Sequence, residues 1–284
     1  DQMGGLRHLG RMVIGVVFLL YAVGAAVIFS QIHGLDGMGT LESLWHSVFL
    51  SVSSVNNAGF NIIPEVPDGS SLARFVSNPV LMIIMTFLII LGGLGWVLLA
   101  DVFRQRRISR FSLETKMVLV YSILLWTLGA GVLYLAEFAN SNTMGDFSWV
   151  DKIMGAIFQS VSGRTAGFLV VDFGEVKDVT KSTFSGLMFI GGAAGSVAGG
   201  IKVATFAVLM AAVISSLRGR PHAEAFGREI HQSQLHRALT VAVLGLGLIV
   251  VSATVLTTLE PEIPFLDIIF DTVSAFGTTG ASTG

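Results

Sequence analysis

Three short stretches of the chain end in the same kind of tripeptide: Asn57-Ala58-Gly59, Thr165-Ala166-Gly167 and Thr278-Thr279-Gly280. Each runs Asn or Thr, a small residue, then Gly. Glycine reaches φ values closed to other residues, so such a run can turn successive carbonyls to one side. The leading Asn or Thr can contribute a side-chain oxygen or brace the turn. Exposed peptide oxygens suit a dehydrated monovalent cation, because carbonyls can replace its water shell. Anion binding would instead want helix N-termini or inward-facing arginines. Cysteine is absent, which removes thiolate metal sites and disulfide frameworks.

The elements that must carry these turns are three moderately apolar segments of 19 residues each: LESLWHSVFLSVSSVNNAG (41–59), WVDKIMGAIFQSVSGRTAG (149–167) and EIPFLDIIFDTVSAFGTTG (262–280). They align without a gap on their final glycines, which lie 108 and 113 residues apart. That period far exceeds a solenoid repeat and suggests a duplicated unit of span, half-helix, turn and span. About 13 helical residues cover roughly 20 Å, two-thirds of a hydrocarbon core, so each segment must turn back partway. Backbone released at that depth is tolerated only when buried in protein or lining a wet cavity. The C-terminal end of each half-helix carries partial negative charge, and three such ends on one axis favour a cation.

The surrounding chain is membrane-like. Its mean hydropathy is +0.76, 52% of its residues are hydrophobic and only 13% are charged, too apolar for an ordinary soluble domain. Residues 12–32, 75–100, 117–136 and 238–259 carry no Asp, Glu, Lys or Arg, and 182–217 has Lys202 alone. These are five spanning candidates, since about 20 apolar residues cross a bilayer. Segments 1–11, 101–116 and 215–237 hold 11 of the 17 Lys and Arg, against five acids. The positive-inside rule makes that set cytoplasmic, with the turns opening outward. The other connections hold 14 acids, which draws cations to the outer face. The chain begins at Asp1 without a signal-peptide pattern and reads as an internal piece of a longer protein.

The stretches SVNNAGF, QSVSGRTAGF and SAFGTTGASTG resemble the second, third and fourth selectivity-filter loops of the Ktr/Trk/HKT potassium-transporter superfamily. The likeness is greatest to the membrane subunit of the bacterial Ktr type, and it covers essentially the whole chain. It implies an all-α polytopic membrane protein in which helix–pore loop–helix units with re-entrant pore helices surround one pore. Residues 1–100 would be the second family repeat, 101–218 the third and 219–284 the start of the fourth. The first repeat and the last helix of the family pattern have no counterpart here. By position the filter glycines are Gly59, Gly167 and Gly280. Carbonyls of Asn57, Ala58, Thr165, Ala166, Thr278, Thr279 and those glycines would face potassium, with Asn56 and Arg164 supporting them. The resemblance further implies a cytosolic ring of nucleotide-binding regulatory subunits, a homodimer of complete subunits in the bilayer, and sodium as a candidate activator. No nucleic-acid partner is implied.

A second glycine cluster, FIGGAAGSVAGGIKV (189–203), interrupts the span at 182–217 that follows the 149–167 segment. Each Gly costs a helix about 1 kcal/mol relative to Ala. Five in residues 191–200 should unwind it in mid-membrane. The run GGAAGSVA has no counterpart in LGGLGWV (91–97), the matching stretch of the earlier span. In the resembled family this helix is broken by an intramembrane loop that obstructs the pore, which makes Gly191, Gly192, Gly195, Ser196, Gly199, Gly200 and Lys202 the gate candidates. The competing reading is close helix packing through Gly191, Gly195 and Gly199 at four-residue spacing. A phosphate-binding loop is nearly spelled but lacks its Gly-Lys-Ser/Thr ending and a preceding strand.

Two cations within the membrane call for an account. Lys202 is expected near the gate run, donating to carbonyls or tuning pore potential, with snorkelling as the alternative. Arg164 would repel a cation if it pointed inward, so it is expected behind the turn, bonding loop carbonyls or an acid such as Asp172. His222, His231 and His236 sit in the basic inner loop without metal-site spacing. An intramembrane enzyme is disfavoured, because His46 has no matched nucleophile and no aspartate dyad lies in the spans. A secondary transporter of another cation or small solute, also built on discontinuous helices, is the alternative function; three breaks in one direction argue against it.

Overall fold

A computed structural model describes residues 2–63, 72–105 and 107–284; Asp1 and Arg106, both in the basic inner segments, fall outside it. Ten α-helices occur among the described residues: α1 (Gln2–Ile32), α2 (Thr40–Val55), α3 (Pro79–Leu94), α4 (Trp96–Gln105), α5 (Leu113–Glu137), α6 (Trp149–Thr165), α7 (Asp178–Phe189), α8 (Val203–Leu217), α9 (Gln232–Leu259) and α10 (Phe265–Gly277). One small hairpin, β1 (Glu224–Ala225) paired antiparallel with β2 (Arg228–Glu229), lies in the basic loop between α8 and α9. The fold is otherwise helical.

Helices α1, α5 and α9 are long and apolar enough to cross a membrane. Helix α9 shows the inverted logic of a lipid-facing element. Its buried residues are mostly small: Ala238, Ala242, Gly245, Ile249 and Ala253. Their spacing of three and four places them on one stripe. Leu244, Val250 and Val251 are instead more than half exposed. Lipid is as apolar as leucine, so helices associate through small residues that permit close approach while large ones face outward. The chain is a multi-pass membrane protein.

Helices α2, α6 and α10 have 16, 17 and 13 residues. They reach only about 20–25 Å, short of a core of about 30 Å. Two of them are seated identically. A Cβ at Gly24 on α1 would strike Ser51 and Leu88. A Cβ at Gly129 on α5 would strike Ser160 and Leu187. The Ser51 hydroxyl donates to Tyr21 O at 2.9 Å, and that of Ser160 donates to Trp126 O at 2.7 Å. The repeat in the sequence is therefore a repeat of three-helix packing.

The spans differ from the charge-free windows in one place. Residues 75–100, expected to form one span, break at Gly95 into α3 and α4, which meet at 97°. Gly95 has φ 76° and ψ 151°, backbone that L side chains avoid. A Cβ there would approach Ala194 O at 2.8 Å and Ser196 N at 3.0 Å, so the 190–202 segment packs against the break. Hydropathy registers apolarity and is blind to this bend.

Candidate functional site

The turns after α2, α6 and α10 converge in backbone conformation. Gly59, Gly167 and Gly280 have φ of 73°, 80° and 83°, a region that favours glycine. The amides of Ala58, Gly167 and Thr279 donate to the carbonyls of Ser53, Ser162 and Ser274 at 2.9, 3.0 and 2.9 Å. Each is a five-residue closure of a helix C-terminus, which satisfies one of its orphan carbonyls. The Ser53 and Ser162 hydroxyls then donate to Phe60 O and Phe168 O, at 2.9 and 2.7 Å, fixing the residue after each glycine.

These serines correct the gapless alignment. Ser51-Val52-Ser53, Ser160-Val161-Ser162 and Thr272-Val273-Ser274 are equivalent, yet the glycine follows the last serine by six, five and six residues. The two longer turns hold an extra residue in the left-handed region, Asn57 (φ 49°) and Thr278 (φ 53°). The middle turn has none, and α6 continues helical to Thr165. This Ser/Thr-Val-Ser signal is legible in the sequence, but a match anchored on glycine hides it.

Successive turns touch in one sense. A Cβ on Gly59 would overlap the carbonyl oxygen of Ala166, and one on Gly167 would overlap that of Thr279. Side chains repeat the order. The Thr165 hydroxyl lies 3.0 Å from the Asn57 amide, and it donates to the amide oxygen when the nitrogen faces Ile89 O and Ser54 O. The Thr279 hydroxyl lies 3.4 Å from Arg164 O. The first turn thus packs on the second, and the second on the third. Asn56 sits behind the first turn and donates to the Tyr21 hydroxyl at 2.7 Å and to Val52 O at 2.9 Å.

The second glycine cluster packs against the last of these turns. Residues 190–202 are non-helical between α7 and α8. Ile190 and Ile201 pair as an isolated parallel bridge, and Gly191 N and Val203 N donate to Ile201 O and Gly192 O at 2.8 and 3.0 Å. Helical packing through Gly191, Gly195 and Gly199 does not apply, since none of them is helical. Gly195 and Gly200 have φ of 75° and 69°. A Cβ on Gly199 would strike the Thr278 hydroxyl and come within 2.7 Å of Gly277 O, and one on Gly191 would overlap Gly199 O. The Ser196 hydroxyl donates to Ala193 O at 2.7 Å. Gly192 lies against Gly93 O, to which Ala193 N also donates at 2.9 Å. Lys202 Nζ donates to Ala198 O at 2.5 Å, within the same segment.

Arg164 is buried and points away from the turn that contains it. Its Nε donates to Ile190 O at 2.9 Å and its Nη2 to Gly191 O at 2.5 Å, while its Cζ lies 5.7 Å from the Trp126 ring. Of the two kinds of partner expected, carbonyls are found; Asp172 accepts instead from Gly174 N at 2.8 Å. Gln159 completes the outer brace of the middle turn by accepting from Val170 N at 2.8 Å.

A family model described as TrkH, cation transport protein, matches residues 1–284. The chain is 37% identical over 278 residues to Ktr system potassium uptake protein B of Bacillus subtilis, covering 96% of this chain and 61% of that protein. It is 32% identical over 287 residues to potassium/sodium uptake protein NtpJ of Enterococcus hirae, covering 100% and 62%. The chain thus spans about three-fifths of these relatives' length. In fold it is similar to the crystal structure of the potassium transporter TrkH from Vibrio parahaemolyticus, with a TM-score of 0.70 at 17% identity, over 96% of this chain and 55% of that one.

Proposed function

The chain belongs to the TrkH family of cation transport proteins, and from that premise we propose that the whole protein moves potassium across the cytoplasmic membrane through the ring of turns. Gly59, Gly167 and Gly280 with their neighbouring carbonyls form the filter, and residues 191–200 with Lys202 form the gate beneath it. The repeats run over 1–100, 101–218 and 219–284. The observation that carries this reading is the succession of turns, in which Gly59 and Gly167 each make room for a carbonyl of the next. A ring built this way holds oxygens at fixed spacing for a bare ion. The chemistry is ion transfer and requires no covalent step.

Basic segments 1–11, 101–116 and 215–237 face the cytoplasm in this reading, where a ring of nucleotide-binding subunits would act on the gate. Complete subunits pair as a homodimer. Sodium is proposed as an activator, a role that the name of the Enterococcus relative leaves open alongside that of cargo.

The test is uptake by the full-length protein in a potassium-starved host, with rubidium or potassium as the measured ion. Gly59→Ser, Gly167→Ser and Gly280→Ser are expected to insert and to lose preference for potassium over sodium. Unchanged selectivity in all three would reject the filter. Saturable uptake of an unrelated solute, with no potassium flux, would favour a secondary transporter.

A further inference from the structure

The geometry points to Arg164 as a positioning residue that couples the filter to the gate, rather than a brace of its own turn. This inference rests on the filter and gate reading above. Its first support is where the guanidinium goes. Arg164 lies on the last turn of α6, inside the turn sequence, yet both of its hydrogen bonds cross to a segment 26 and 27 residues away. The acceptors are Ile190 O and Gly191 O, immediately after α7 ends at Phe189. A continuous helix would spend these carbonyls on amides four residues on; the break releases them at a depth without water. A charged fork that satisfies two adjacent carbonyls therefore stabilises the broken form specifically.

A second support is the opposite side of the same residue. The Arg164 carbonyl lies 3.4 Å from the Thr279 hydroxyl in the next turn, so its backbone belongs to the ring and its side chain to the gate. Among the described residues Arg164 also has no acidic partner, and its remaining nitrogen, Nη1, has none of any kind. A void of about 10 Å³ beside it, lined by residues including Gly93, Ser122, Thr165 and Gly192, is about the size of one water. A cation paired only with carbonyls of the broken span loses its partners when that span moves. Displacing the gate then leaves the charge uncompensated directly behind the ring, which links the two elements energetically.

The test separates a coupler from a brace. Potassium and sodium fluxes are measured for the full-length protein in liposomes, in the intact form and in a gate-shortened form lacking residues 192–198. Arg164→Gln is expected to raise potassium flux about tenfold in the intact protein and by less than about twofold in the gate-shortened one. The potassium-to-sodium ratio should stay near that of each parent form. Arg164→Lys keeps the charge, can reach one carbonyl, and is expected to give an intermediate flux; it also serves if the Gln variant fails to insert. Equal effects in both backgrounds, unchanged flux in both variants, or a selectivity loss matching Gly167→Ser would overturn the assignment. Unaltered selectivity in Gly59→Ser, Gly167→Ser and Gly280→Ser alike would overturn the filter reading and this assignment together, an outcome distinct from the others.

Discussion

At the scale of single residues, the ring depends on backbone that only glycine adopts without strain and on serine hydroxyls that hold the following carbonyl. Gly167 combines both constraints, with φ at 80° and the Thr279 carbonyl where a side chain would stand. An alanine there would cost about 1–2 kcal/mol from conformation alone, before any displacement of that carbonyl. Ser162 is subtler. Its hydroxyl gives a 2.7 Å bond to Phe168 O in a fully buried setting, and Ser162→Ala would leave that carbonyl only the long 3.5 Å bond from Gln159 Nε2, at a cost of about 1 kcal/mol. Lower thermal stability in detergent is expected for Ser162→Ala, together with reduced potassium preference. Wild-type values of both would show that the serine does not hold the turn. The glycines were legible in the sequence because their chemistry is local. The serines carried an equally regular signal, but only the hydrogen bonds show that it sets the phase of the turns.

At the scale of elements, what could be read was where a helix must fail, and what could not was where its broken ends go. Five glycines in residues 191–200 announced a break, and α7 and α8 stop on either side of it. The bend at Gly95 gave weaker warning, since residues 91–97 are apolar and their three glycines also suit close helix packing. It exists because Ala194 and Ser196 occupy the space next to it, a contact between segments about 100 residues apart in sequence. The partners of Arg164 are out of the sequence's reach for the same reason: a guanidinium suits carbonyls or an acid, and the break after Phe189 supplies the carbonyls. The segment proposed as the gate holds its shape partly through Gly195 and Gly200 at positive φ. Gly200→Ala adds strain of about 1–2 kcal/mol to the obstructing form, with Phe189 O and Gly191 N at 3.0 Å from the new methyl. Basal potassium flux should rise by about fivefold to thirtyfold if that strain acts only on the closed state. Flux at or below wild type would mean the glycine is not under closed-state constraint.

At the scale of the whole molecule, tandem units must be held in register without a hydrophobic drive between them, because lipid offers their apolar faces an equal environment. Polar contacts between repeats fill that role at two levels. In the ring, Thr165 meets Asn57 and Thr279 meets Arg164 O. Further out, near the first turns of both helices, Lys181 on α7 bonds Asp267 on α10 at 2.7 Å, with the lysine buried. Cutting one member of a buried pair leaves a charge without compensation and costs about 3–5 kcal/mol; the aspartate is more open, so about 3 is expected for Lys181→Met. Exchanging the two residues tests whether the bond or the residues matter. Both helix N-termini favour an acid. The exchange takes one from α10 and gives one to α7, so the two dipole effects nearly offset. The exchanged protein should therefore recover most of the lost stability, read as its unfolding midpoint in detergent, and its potassium preference with it. If Lys181→Met unfolds like the wild type, the outer contact does not set the register, and the burden falls on the ring itself. If the single variant is destabilised and the exchange fails to recover it, the packing around each side chain outweighs their bond.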